Sequence, residues 1–127
     1  MERRRASSGS PFEAAIGFCR AVRVGNRILV SGTAPVEDDG GSTPGDAEAQ
    51  AERCLAVIVR AIEQLGGTAE DVVRTRQYLI DPTDAAAVGR AHGRWFGDVR
   101  PASTMIVVAG LLRPEWRVEI EAEAEVD

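Results

Sequence analysis

The last strand-like stretch of the chain, Val118 to Glu125, reads VEIEAEAE. Val118, Ile120, Ala122 and Ala124 recur at every second position, with Glu119, Glu121, Glu123 and Glu125 between them. Successive side chains of a β-strand point to opposite faces, so this segment has one apolar and one acidic face. A row of carboxylates repels itself unless water or cations meet it. Two settings satisfy that condition: a solvated outer face, or the charged wall of a cleft met by arginines from elsewhere. Just before it, Met105, Val107 and Ala109 alternate with Ile106 and Val108. That run is apolar on both faces and predicts a buried strand, joined by a loop to the acidic one.

Upstream, the pattern gives the remaining elements. Residues 1–10 are polar and rich in Ser, Gly and Arg, which predicts a loose N-terminal arm ahead of a single domain over 11–127. Cys19–Val24 and Arg27–Ser31 read as a hairpin around Gly25-Asn26, with Gly32 ending the second strand. VEDDGGSTPGD, residues 36–46, is a loop. Ala51, Leu55, Ile58, Ile62 and Leu65 form one apolar stripe, which predicts a helix over 47–65. Asp46 is placed to cap it and Gly66-Gly67 to stop it. Thr68 to Asp71 resembles a capped single turn. Val72–Ile80 is a strand with Val73, Thr75, Gln77 and Leu79 on one face and Arg74, Arg76, Tyr78 and Ile80 on the other. Asp81-Pro82 opens a second helix, running to Phe96 with Ala85, Val88, Ala91, Trp95 and Phe96 inward.

The order strand, strand, helix, strand, helix, strand, strand is an α+β class. Two helices cover one face of such a sheet. The other face, carrying Arg74, Arg76, Tyr78, Glu119 and Glu121, meets water or another subunit. Its mixed charged and apolar character suits an interface with clefts.

Composition narrows the function. The chain of 127 residues carries a net charge of −5, and its only basic cluster is Arg3-Arg4-Arg5 in the polar leader. That argues against nucleic acid as a partner. No apolar run approaches the roughly 20 residues of a membrane span, and no apolar segment follows the N-terminal arginines as in a secretory signal. Cys19 and Cys54 are too few for a disulfide framework, and reduced thiols in a cytoplasmic protein are expected. His92 is the only histidine and neither cysteine has a near partner, so no metal site and no cofactor are expected. There is no phosphate-binding glycine loop and no nucleophile elbow. A half-buried His92, satisfied by backbone or water, is expected rather than a general base. Carboxylates and guanidiniums remain. Glu119 and Glu121 with Arg74 or Arg76 are the one constellation that strand periodicity puts on a common face, where they either pair structurally or hold a substrate carboxylate and orient water.

IGFCRAVRVGNRILVSGTAP, EDVVRTRQYLID and RPASTMIVVAGLLRPEWRVEIEAEA resemble the RidA family, also called the YjgF/YER/UK or L-PSP family. The resemblance spans about residues 11–125. It implies a ferredoxin/chorismate-mutase-like β-β-α-β-α-β-β fold with two helices on one face. It further implies a homotrimer with a central barrel, and three intersubunit clefts for small carboxylate-bearing or imine-type metabolites. The activity implied is hydrolysis of enamine/imine intermediates to keto acid and ammonia. By the same resemblance, Glu119 positions water, Gly32 brings backbone to the ligand, and Ser103 and Thr104 follow the Pro-Ala pair before a strand.

Three departures stand out. Deaminating members have an arginine after Pro-Ala that grips the substrate carboxylate; Ser103 stands there in this chain. Phe18 stands where the family has a tyrosine, and Gly89 where it has an asparagine. A neutral hydroxyl cannot replace a bidentate guanidinium. Arg76 is one candidate for the missing charge, against a plain Arg76–Glu ion pair. Two functions therefore stay open: a trimeric hydrolase acting through Glu119, and a non-catalytic metabolite-binding or regulatory module. Ribonuclease activity fits poorly with the acidic charge.

Overall fold

The computed structural model describes residues 2–127. Its elements are β1 (Arg3–Ala6), α1 (Pro11–Ile16), β2 (Ala21–Val24), β3 (Arg27–Thr33), α2 (Ala47–Gln64), β4 (Val72–Leu79), α3 (Ala85–Phe96), β5 (Ala102–Val107) and β6 (Val118–Glu125). Short 3-10 turns at Ala69–Asp71 and Pro82–Asp84 lead into β4 and α3. The strands form one six-stranded sheet in the order β1-β2-β3-β6-β4-β5. Only β4 and β5 run parallel. The α+β class and the five strands and two helices expected from the pattern are present, with one strand and one short helix added at the N-terminus.

β6 lies at the centre, and its alternation organises both sides. Val118, Ile120, Ala122 and Ala124 are buried beneath the helices. Ala51, Leu55, Ile58 and Ile62 of α2, which lies on β6, and Val88, Ala91 and Phe96 of α3, which packs against α2, complete the same core. Asp46 caps α2 by accepting from the Ala49 N–H at 3.0 Å. Gly66 ends that helix in the left-handed region at φ +88°, which glycine adopts without a Cβ clash. The Thr68–Asp71 capping box also forms.

Four expectations need correction. The expected loose arm at 1–10 holds a strand at Arg3–Ala6. Arg3–Ala6 pairs antiparallel with Ala21–Val24, and Ala6 is buried. The arginines of this edge strand point outward, so their charge hid a strand whose support comes from backbone bonds. Second, the Met105–Ala109 run is not buried. β5 is the outer edge of the sheet, and Met105, Ile106 and Val107 are 36, 45 and 50% exposed. Third, Val73 faces out, because a register shift between Val72 and Arg74 turns Val72 inward instead. Fourth, β3 continues through Gly32 to Thr33, with a register shift between Val30 and Thr33.

Core packing sets a testable contrast. Ile62 is fully buried, so Ile62→Ala is expected to cost about 2–5 kcal/mol in chemical denaturation. Leu112 is 77% exposed, and Leu112→Ala should change stability by no more than about 0.5 kcal/mol.

Candidate functional site

The irregularity in β3 builds the site. Gly32 falls inside the shifted register and has no Cα partner on β6. The bulge is pinned from three directions. Thr33 Oγ1 donates to the Ser31 carbonyl at 2.8 Å, Ser31 Oγ donates to the Cys19 carbonyl at 2.8 Å, and Arg20 Nη2 donates to the Gly32 carbonyl at 2.7 Å. A Cβ added at Gly32 would lie 2.7 Å from Glu119 Oε2. Only glycine leaves that carboxylate where it stands, so Gly32 and Glu119 are immediate neighbours.

Arg20 is the residue that the sequence reading missed. It is 6% exposed and lies 3.7 Å from Glu13, itself 5% exposed. Glu13 accepts from the hydroxyls of Ser7 and Ser8, which ties the segment between β1 and α1 into the same cluster. The Phe18 ring covers the guanidinium, with its centroid 5.4 Å from Cζ. Arg20 Nε has no hydrogen-bond partner. Burial lowers the Arg20 pKa, while Glu13 and Glu119 hold it up. Nothing in the spacing of Glu13 and Arg20 marks this pair, since their approach depends on the turn between α1 and β2.

Glu119 stands at the wall of a cavity of about 810 Å³. Phe18, Arg20, Gly32, Arg53 and Trp116 are among its other lining residues. Exposed Ile16, Phe18 and Leu112 also line it and give it an apolar fringe. Burial raises the Glu119 carboxyl above its ordinary range; Arg20 opposes that shift and Glu121 adds to it. A half-buried carboxyl of this kind can hold a water and exchange a proton with it.

The rest of the acidic row is already engaged. Tyr78 donates to Glu121, which raises the tyrosine pKa. Arg76 Nη1 lies 3.3 Å from Glu123 and 3.7 Å from Glu121, and Arg27 pairs with Glu123 at 2.9 Å. The ion-pair alternative for Arg76 is therefore the one observed, and the guanidinium whose charge acts on Glu119 is Arg20.

Ser103 and Thr104 lie elsewhere on the chain. Both are on the β5 edge, opposite Thr75 and Arg76 of β4. Ser103 shares the helix-side face with Thr75 and Gln77, whereas Glu119 pairs with Tyr78 and occupies the other face. One chain thus brings together Phe18, Gly32 and Glu119, keeps Arg76 farther along the open face, and holds Ser103 on the far side of the sheet. His92 is half-buried, as expected, and the partner of its Nε2 is a side chain, the Thr75 hydroxyl at 2.8 Å. Burial lowers its pKa. Burial likewise raises the Cys54 thiol, which removes it as a nucleophile near neutral pH.

Among the described residues, no group of three or more His, Cys, Asp or Glu side chains could hold a metal ion. No helix of the described residues is long and apolar enough to cross a membrane.

The sequence matches the family model for endoribonuclease L-PSP over residues 9–126. It is 41% identical over 121 residues to an uncharacterized protein of Streptomyces coelicolor, covering 95% of this chain and 90% of that one. It is 33% identical over 128 residues to the 2-iminobutanoate/2-iminopropanoate deaminase of Escherichia coli, covering 98% of each. Among solved structures, a Mycobacterium tuberculosis member of the YjgF/YER057c/UK114 family superposes with a TM-score of 0.89 at 42% identity, covering 98% of this chain and 100% of that one. The sheet order, the helices on one face and the match along nearly the whole sequence lead to one assignment: the chain belongs to the YjgF/RidA family, described by the family model as endoribonuclease L-PSP.

Proposed function

We propose that this protein is a homotrimer that binds a small imine-type metabolite in clefts between subunits and hydrolyses it to a carbonyl compound and ammonia. The observation that carries the reading is Glu119: a half-buried carboxyl with a raised pKa, set against the unpaired Gly32 on a cavity wall. In the reaction, Glu119 takes a proton from water as the oxygen adds to the imine carbon. The C=N bond becomes a C–N single bond as the nitrogen takes that proton back from Glu119. On collapse of the carbinolamine, Glu119 takes the hydroxyl proton and passes it to nitrogen as C=O forms and C–N breaks, so ammonia leaves and the carboxylate is restored. The imine carbon is electrophilic enough for this to proceed on acid–base help alone. The deaminase name of the Escherichia coli relative supports the same chemistry.

The trimer is supported by what the helices leave bare. Leu29, Val73, Ile80 and Ile106 lie on the open face or its margin and are 40, 45, 36 and 45% exposed. β5 is an unprotected edge with apolar side chains on both sides. Exposed apolar surface of this kind marks an interaction site. Packing copies through this surface gives each cleft Phe18, Gly32 and Glu119 from one chain and the Ser103-Thr104 edge from its neighbour.

A second reading, a metabolite sensor without turnover, is favoured by one specific set of residues. Ser103 stands in place of the carboxylate-gripping arginine, Phe18 lacks a hydroxyl, and Arg76 is committed to Glu121 and Glu123. A coupled assay separates the two. A dehydratase generates 2-iminobutanoate, and keto-acid release is followed with and without this protein. Turnover is expected to accelerate, and Glu119→Gln to remove about 10²–10⁴ of the enhancement. Absence of acceleration across a range of imines selects the sensor.

Two further outcomes follow from the same residues. Light scattering should give three times the 13.6 kDa of one chain, and Ile106→Asp should lower that mass. The Glu119 pKa is raised in the folded state, so its favourable contribution is fully present below its ordinary value of 4.5 and is lost as pH rises through the higher folded value. Glu119→Gln is therefore expected to raise the thermal midpoint at pH 7.5 and to leave it nearly unchanged at pH 4. An equal shift at both pH values would contradict the assignment.

A further inference from the structure

Behind β5, four polar side chains join in one network. Thr75 Oγ1 lies 2.9 Å from Ser103 Oγ, 2.8 Å from Gln77 Nε2 and 2.8 Å from His92 Nε2. Ser103 Oγ lies 3.1 Å from Gln77 Oε1, which closes a ring of Thr75, Ser103 and Gln77. Thr75 and Gln77 are 0 and 1% exposed, so every contact in this ring counts. Ser103, at the exposed sheet edge, is the ring's outlet.

The protons of this ring are determined by counting. A hydroxyl has one proton to give and two lone pairs to receive with. With Gln77 Nε2 donating to Thr75, Thr75 must donate to Ser103 and Ser103 to Gln77 Oε1. With the amide turned over, Gln77 donates to Ser103, Ser103 to Thr75 and Thr75 to Gln77. Both arrangements use the Ser103 and Thr75 protons inside the ring. In both, His92 can keep its contact only as the Nε2–H donor. And in both, Ser103 Oγ has accepted one bond and given its proton, so it shows a single lone pair outward.

We propose that Ser103 reads the β5-facing end of the cleft ligand as a hydrogen-bond acceptor, so that this end bears an N–H or O–H group, such as an amide, amine or hydroxyl, in place of a carboxylate. The proposal rests on the cleft reading above. A carboxylate at this point would set lone pairs against a lone pair and lose its hydration without a donor in return. Turning the serine proton outward would leave a buried acceptor of Thr75 or Gln77 empty. Burial lowers the His92 pKa and so disfavours a charge behind the ring. The preferred substrate is accordingly a small imine or carbonyl compound whose far end is a neutral donor, and an imino acid such as 2-iminobutanoate is a weaker ligand of the same cleft.

Two probes that differ only at that end test it: 2-oxobutanamide and 2-oxobutanoate, titrated into the full chain with the Gly32 and Glu119 amide signals followed by NMR. The amide is expected to bind about tenfold more tightly, the loss that follows from one unmade bond to a desolvated group. Ser103→Ala should bring the two to near parity, and Ser103→Arg should reverse the preference. If the keto acid binds the unmodified protein as tightly as the amide or more so, the cleft stands and the proposal falls. If neither compound moves Gly32 or Glu119, the cleft reading falls and takes the proposal with it. The His92 ring gives an independent readout: its ¹⁵N shifts should mark Nε2 as protonated, and a bare Nε2 would overturn the ring's proton order.

Discussion

The alternation of β6 is the constraint on which the rest depends. Its central place between β3 and β4 means that its two faces divide the molecule. Val118, Ile120, Ala122 and Ala124 seat α2, and α3 packs beside α2 in the same core. Glu119, Glu121 and Glu123 are thereby forced onto the face the helices leave uncovered. Glu121 and Glu123 are neutralised where they stand, by Tyr78, Arg76 and Arg27. Glu119 is spared a direct partner because the adjacent residue on β3 is glycine. A one-residue slip of β6 would bury four carboxylates and expose the core, so the register that folds the protein also fixes the site.

The bulge in β3 carries the second half of the design. Arg20 joins the N-terminal segment, through Glu13, to the carbonyl of Gly32. A buried ion pair of this sort adds little net stability, but removing one partner strands the other. Its consequence here is geometric. β1, α1 and the bulge are held as one unit, and Phe18 is laid over the guanidinium at the rim of the cavity. The arginine's charge also restrains the Glu119 pKa that burial raises.

Much of this was legible in the residues. The hairpin around Gly25-Asn26, the stripe of α2 with its Asp46 cap, and the two faces of β6 follow from period and turn chemistry alone. What was not legible has physical causes. A strand bulge changes which side chains face inward without changing their order, so Val73 was assigned to the wrong face. An edge strand held by backbone bonds needs no apolar pattern, so Arg3–Ala6 read as solvated. Glu13 and Arg20 look like surface charges until a turn brings them together. Ser103 and His92 each carried a plain reading, and only the fold shows that Thr75 and Gln77 join them. β5 is the reverse case: its pattern says buried, and a single chain leaves it bare.

The central claim is that β5 of one copy closes the cavity beside Glu119 of another. Intermolecular NOEs measure this directly. One batch of chains is labelled only on Met105 and Ile106 methyl groups, a second is deuterated and labelled on backbone nitrogen, and the two are refolded together. The account predicts NOEs from those methyl groups to amides of Ser31–Thr33 or Glu119 in the other batch. Mixed samples that show only contacts within each chain would contradict it.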